Sequence, residues 1–433
     1  MAAVSQLRSL RVLHFSASHL LKAFSIRLRY EEEDRSLTFP DSLTDLLIST
    51  TDFKGLILPS FIQSLILAGL KSDIVPGIIP TTLTSLKLNE FNNKIEAHSL
   101  PNGLKNLDVG HRFNQVLDKG SLPKSITKLS LGISFKQQCI DQHHLDILPA
   151  SLVHLEFLLQ HKHLENVIML EEIESPLPAS LTSLILSSFN SPIRPGLLPS
   201  NLKSLNLGPY FNHPILPGSL PEALTSITLG NRFDRPIKLG VLPNSLKRLL
   251  FGNSFNHMLT VDVFPNSLES LFFGLNFDKL IKPGVLPQGI TSLHFGYYFG
   301  TQLVTSYDVL PSSLTTLDIC QYLDNAKLPE SITKLVIRRS FKHQLHGHLP
   351  NLTHLTLPSL DDYLMSNINT RLQLEVVDLR GDEIPLKRLK KDGIKMSRPP
   401  ILIKMNKYKN KCKNKYKMNK YKNKFKNQKY KKK

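Results

Sequence analysis

A Leu-Pro pair followed by Leu-x-x-Leu-x-Leu recurs through most of this chain at nearly constant spacing, and that recurrence limits the fold more than any other feature. It reads as Leu198-Pro199 with Leu202, Leu205 and Leu207, then as Leu220-Pro221 with Leu224, Ile227 and Leu229. It returns as Leu242-Pro243 with Leu246, Leu249 and Phe251. The prolines stand at 40, 59, 80, 101, 123, 149, 178, 199, 221, 243, 265, 287, 311, 329 and 350, and nine of the fourteen intervals are 21 or 22 residues. A fixed period of this size implies a stack of equivalent coils rather than two or three independent globular cores.

Each coil has its own internal logic. Alternation in the final Leu-x-Leu is a strand signal, with two side chains inward and one outward. Proline cannot donate to a ladder, so it belongs just before the strand, where it also holds its neighbour extended. After the strand comes Gly-x-x-Phe-Asn or a relative of it: Gly208 to Phe211-Asn212, Gly230 to Phe233-Asp234, Gly274 to Phe277-Asp278. Glycine is read as permitting the turn out of the strand. The phenylalanine is placed to stack on its equivalents in adjacent coils, and Asn or Asp to satisfy turn backbone groups. A second turn, such as Pro195-Gly196 or Pro217-Gly218, brings the chain back. Two turns per coil leave little room for a helix, so the return limb is expected to be extended or 3₁₀. One coil cannot bury enough apolar surface alone; stacking must complete it.

The stretches Phe189-Asn190-Ser191-Pro192-Ile193 and Phe211-Asn212-His213-Pro214-Ile215, with the Leu-Pro-x-Ser-Leu-Thr-Ser-Leu run beginning at Leu177, resemble FNIP repeats. Such repeats are abundant in social amoebae and occur in large DNA viruses of amoebae. The resemblance covers roughly residues 36–357 and implies a fold similar to leucine-rich repeats. The chain departs from the common leucine-rich pattern where Tyr210, Arg232 and Ser254 replace a regular Asn, which leaves the curvature open. Some relatives carry an F-box or kinase domain; neither is found here, so ubiquitin-ligase and kinase roles do not carry over. The expected fold is mostly β: a leucine-rich-repeat-like solenoid of about fifteen coils of ~22 residues with one long parallel sheet. Residues 1–35 are read as an N-terminal cap, 36–360 as the solenoid, 361–385 as a C-terminal cap and 386–433 as a disordered tail.

Charge divides the chain sharply. The net charge is +19, yet residues 386–433 hold 21 Lys or Arg and one acid, Asp392, so the remainder is close to neutral at −1. From Ile401 on, 15 of 33 residues are lysine with Tyr and Phe between them. Such a run cannot bury a core. Lysines with interleaved aromatics suit weak, non-specific binding of single-stranded nucleic acid, by phosphate neutralisation and base stacking, with Lys404, Lys407, Lys409, Lys411, Lys413 and Lys415 as the contacts. Nuclear import and attraction to an anionic membrane are competing readings. Unselected low complexity is another, since Lys, Asn, Tyr, Ile and Phe are all encoded by A/T-only codons. The three cysteines, Cys139, Cys320 and Cys412, are far apart and unpatterned, which suits a reducing, intracellular setting, cytoplasmic with a nuclear alternative. Residues 1–30 hold five Arg or Lys and no acid, faintly like a presequence, but Leu7, Leu10, Val12 and Leu13 read better as part of the cap. No apolar run approaches the ~18 residues a membrane helix needs.

No phosphate-binding glycine loop, nucleophile elbow, HExxH or kinase signature occurs, so no catalytic residue, cofactor or metal ligand is assigned. Among the sixteen histidines, the grouping Cys139, His143, His144, His161 and His163 lies in the two longest repeats without zinc-site spacing. Those insertions, with Glu171, Glu172 and Glu174, are a candidate partner-contacting protrusion. The outward residue of each Leu-x-Leu forms a varied column flanked by Ser204, Ser226 and Ser270 on one side and Gly208, Gly230, Gly252 and Gly274 on the other. Its members Asn206, Thr228, Leu250, Phe272, His294 and Asp318 are the candidate contacts for an unidentified protein partner. Leu250, Phe272 and His294 stand together as a prospective apolar patch, with packing on neighbouring rungs as the plainer alternative. The expected role is a non-catalytic interaction scaffold of undefined oligomeric state.

Overall fold

The computed structural model describes residues 23–27, 39, 43–54, 56–132, 147–157, 177–187, 189–299, 309–320, 328–338, 349–357 and 376–379. The tail, most of residues 1–35 and 361–385, and the insertion residues Cys139, His143, His144, His161, His163, Glu171, Glu172 and Glu174 lie outside these residues, and so do the expectations for them. Contacts divide the chain into two compact units, Met1–Phe277 and Asp278–Lys433.

The first unit is a parallel ladder of twelve strands among the described residues. They are β1 (Ala23–Arg27), β2 (Asp45–Ser49), β3 (Ser64–Ala68), β4 (Ser85–Asn89), β5 (Asn106–Asp108), β6 (Lys128–Leu131), β7 (His154–Phe157), β8 (Ser183–Leu186), β9 (Ser204–Asn206), β10 (Ser226–Thr228), β11 (Arg248–Leu250) and β12 (Ser270–Phe272). Every strand pairs with its successor, and equivalent repeat positions face one another: Leu205 meets Ile227 and Ile227 meets Leu249. The second unit repeats this plan with β13 (Ser292–His294), β14 (Thr316–Ile319), β15 (Lys334–Ile337), β16 (His354–Leu357) and β17 (Val376–Leu379). Strands β1 and β17 fall within the stretches read as caps, so each of those stretches extends the ladder by a rung.

The repeat positions do what their chemistry suggests. Leu202, Leu205 and Leu207, like Leu224, Ile227 and Leu229, are buried. The phenylalanines stack in one column: Phe189 on Phe211 at 5.5 Å, Phe211 on Phe233 at 5.9 Å, Phe233 on Phe255 at 6.2 Å and Phe255 on Phe277 at 6.0 Å between ring centroids. After most of the Leu-Pro pairs a tight turn closes with the N–H of the next Leu or Ile donating to the proline carbonyl, as Leu202 does to Pro199 at 3.1 Å. Among the described residues no α-helix occurs, which matches the two-turn reading of the return limb.

Hydrogen bonds run mainly between coils. The Asn or Asp after each phenylalanine accepts from the backbone N–H of its counterpart one coil on: Asn190 from Asn212 at 3.0 Å, Asn212 from Asp234 at 2.9 Å, Asp234 from Asn256 at 3.2 Å. Serines just before the first leucine of the Leu-x-x-Leu-x-Leu run donate back to the preceding coil, Ser245 to the Leu224 carbonyl and Ser267 to that of Leu246, both at 2.7 Å. The Asn or Asp side chain expected to serve its own turn therefore satisfies the next coil instead. The ladder consumes donors that a turn would otherwise leave to water.

The glycine after the strand has a different function from the one its turn position suggests. Gly208 has φ +72°, but Gly230, Gly252 and Gly274 do not enter the left-handed region. What they share is crowding: a Cβ on Gly230 would collide with the Gly208 carbonyl, one on Gly252 with Gly230, and one on Gly274 with Gly252. The column is glycine because successive backbones touch there. The second turn of the coil does require positive φ, at Gly196, Gly218 and Gly240 (+82°, +79° and +77°), and in the next coil Asp262 adopts +66° in their place. Replacing Asp262 with Gly is expected to stabilise the first unit by about 0.5–1 kcal/mol, read as a rise in urea midpoint. No change, or a fall, would show that the aspartate side chain compensates its own strain.

Candidate functional site

The outward column is displayed as the alternation requires, but it divides into regions of different character. In the first unit, Asn206 is registered on Thr228, Thr228 on Leu250 and Leu250 on Phe272, giving four consecutive rungs. All four are half-buried rather than fully open. Leu250 and Phe272 are neighbours in the first unit, and His294 lies in the second. Asn206 also has a structural duty: its side-chain oxygen accepts from the Gly208 N–H at 2.9 Å, closing the turn out of β9.

The flanks differ from expectation on one side only. Ser204 is exposed and Ser226 and Ser270 are half-exposed. Gly208, Gly230 and Gly252 are buried, because the coils close on them. The outward face is thus a central column bordered by serines and Arg248 on one side and by packed backbone on the other. Lys203 and Arg248 have no carboxylate partner among the described residues; Lys247 meets Glu269 at 2.8 Å.

Toward the start of the first unit the same face becomes polar and charged. Lys87 bridges to Asp108 at 2.7 Å, both in the central column. His154 contacts Ser183 at 2.9 Å, and Glu156 accepts from Ser130 at 3.3 Å. Desolvation, reinforced by the nearby Lys128, pushes the His154 imidazole below its ordinary value, so it is neutral at pH 7. Between Glu156 and the end of this unit the central column reads Ile185, Asn206, Thr228, Leu250 and Phe272, with no charge at all.

In the second unit Asp318 departs from the outward, accessible role expected of it. It is buried, with 5% of its surface exposed. Arg338 clamps its carboxylate through two nitrogens, with the Nε contact at 2.7 Å. His294 Nδ1 stands 3.4 Å away and its Nε2 faces the Ser292 hydroxyl at 2.9 Å. Burial by itself raises the Asp318 carboxyl; hydrogen bonds from His294 and Arg338, with the charge of Arg338, outweigh it and hold the group below the usual carboxylate value. A depressed folded pKa stabilises the fold above the unfolded value of ~3.9, and this contribution disappears as pH falls through the folded pKa. Acid unfolding of the chain with Asp318→Asn is therefore expected to lose part of its pH dependence below about pH 4. An unaltered acid limb would show that the clamp contributes nothing. Sequence reading missed this network because Arg338 is reached only across a rung of irregular length.

No set of three His, Cys, Asp or Glu side chains able to hold a metal is found among the described residues. Cys320 is a buried thiol. The tail lysines 404–415 lie outside the described residues. No helix among those residues is long and apolar enough to cross a membrane.

Comparison with known proteins agrees with the repeat geometry. The family model described as FNIP Repeat matches residues 70–112, 91–134, 113–159, 172–210, 189–232, 211–253, 233–276 and 277–322. No curated protein matches the chain. Among solved structures, the chain is similar to CroV588, described as a novel circular leucine-rich-repeat protein, at 23% identity and TM-score 0.47, over 89% of this chain and 72% of that one. It is also similar to a leucine-rich-repeat protein of Leptospira interrogans, at 17% identity and TM-score 0.38 over 84% and 90% of the two chains. An internalin of Listeria monocytogenes matches at 14% identity and TM-score 0.33 over 78% and 87%. With eight matched windows spanning more than half of its length, this chain belongs to the FNIP repeat family.

Proposed function

We propose that the protein is a non-catalytic interaction scaffold that holds a protein partner on the sheet face of its first unit, over β8 to β12. The observation that carries this reading is the uncharged run Ile185, Asn206, Thr228, Leu250 and Phe272, half-exposed on rigid strands and bordered by serines. Removing such a surface from water requires no ion pair to be broken, unlike the Lys87–Asp108 region. Lys203 and Arg248 at its margin would steer an acidic partner. Thr228→Arg lies between Asn206 and Leu250 and points outward, so it leaves the core intact. In affinity capture with the full chain, Thr228→Arg is expected to lose the partners retained by the parent while its thermal unfolding is unchanged. Retention of every partner by a folded Thr228→Arg would sink this reading.

A second reading rests on the charge count of residues 386–433, with 21 basic residues and one acid. Through them the protein would bind single-stranded nucleic acid weakly and without sequence preference, with affinity falling steeply as salt rises. Binding of an oligonucleotide that is indifferent to salt would remove it.

A further inference from the structure

The most exposed aliphatic side chains in the later coils of the first unit are not on the sheet face but on the return limb. Leu216, Leu239, Met258 and Val261 are 54%, 67%, 53% and 51% exposed. They come from three consecutive coils. Leu239 and Val261 hold the same place 22 residues apart, the spacing at which β10 and β11 are registered. Leu216 lies one coil earlier, and Met258 three residues before Val261. Between them Ile215, Ile237 and Leu259 are buried and pin the limb to the core. Exposed Pro214, Pro217 and Pro236 stiffen the same ridge.

Its charged groups are Arg194, Arg235, Lys238, Asp234 and Asp262. Asp234 faces His257 at 3.0 Å, whereas Arg194 and Lys238 have no carboxylate partner among the described residues. A ridge of leucine, methionine and valine without an aromatic side chain is unlike a protein-docking hot spot, where Trp, Tyr and Arg dominate and Leu and Val are scarce. It suits a fluid apolar medium behind anionic headgroups, in which aliphatic chains need no directional partner and each nearby cation adds attraction.

We propose that this return-limb ridge seats on an anionic membrane surface, with Leu216, Leu239, Met258 and Val261 entering the boundary between headgroups and acyl chains. Attachment is peripheral. Arg194 and Lys238 supply the preference for negative lipid, and three consecutive coils present the four side chains on the return limb.

The chain contains no tryptophan, so a single Leu239→Trp substitution at this exposed position is a clean reporter in the full-length protein. On vesicles of phosphatidylcholine with phosphatidylserine its emission is expected to shift blue and to be quenched by brominated acyl chains. Vesicles of phosphatidylcholine alone should produce much less of either effect. Adding Val261→Asp should weaken partitioning by about tenfold, and a Thr228→Trp reporter on the sheet face should remain unquenched. Sedimentation with vesicles while the Leu239→Trp reporter stays unquenched would assign the attraction to the lysine-rich tail and overturn the proposal. So would a blue shift that grows with protein concentration in the absence of lipid, because the ridge would then be covered by another copy of the chain.

Discussion

Phe233→Ala is expected to cost roughly 3–5 kcal/mol of stability, more than any other substitution proposed for this chain. The ring is fully buried and lies between two others, with centroids 5.9 Å from Phe211 and 6.2 Å from Phe255. Its removal leaves a cavity spanning the contact between successive coils and deletes two stacked pairs, each contributing about 0.5–1.5 kcal/mol beyond burial. Because each coil is stable only through its neighbours, the loss should be local: hydrogen exchange should accelerate in β9 to β11 before it does in β2 to β4. Phe233→Leu, which keeps most of the volume, should recover most of the stability. Uniform acceleration along the first unit would show a single cooperative fold instead of coupled coils.

Gly252→Ala is expected to have the next largest effect. One methyl group on a surface turn is ordinarily close to neutral, and by turn chemistry alone Gly252, which does not have positive φ, could be alanine. The structure makes the opposite demand. A Cβ at this site would overlap the Gly230 carbonyl and the Cα of Asn231 in the preceding coil, both of them backbone. Backbone cannot rotate aside as a side chain can, so the coils must separate along the sheet. A cost of about 3 kcal/mol is expected, at the upper end of overpacking substitutions, measured as a fall in urea midpoint. Gly240→Ala is the informative comparison, since that glycine has φ +77° and an added methyl group there would meet nothing within 4 Å. Its cost should be about 1–2 kcal/mol, from backbone strain alone. Equal effects at the two positions would refute the distinction between close approach and turn conformation.

Most of the ladder is legible in the linear chain. Periodic Leu-Pro pairs mark where strands begin, Leu-x-Leu marks which side chains go inward, and the spacing of Phe189, Phe211, Phe233 and Phe255 implies the stacked column. These features are legible because identical coils force identical environments: a position that is apolar in every repeat is apolar for one shared reason. The outward column Asn206, Thr228, Leu250 and Phe272 is legible on the same ground.

The sequence by itself therefore determined the coil, its period, its buried face and the separation of a neutral body from a basic tail. Tertiary structure decided what depends on distances between coils. It showed Gly230 and Gly252 to be contact points rather than turn residues, and Asn212 to serve the next coil rather than its own. Asp318 was withdrawn from the accessible face by Arg338 from the following rung, and Leu216, Leu239, Met258 and Val261 were left exposed on the return limb. The physical reason is the same in each case. Alternation along a strand gives the direction of a side chain, but the space it meets is set by backbone some twenty residues away, whose approach no local pattern encodes.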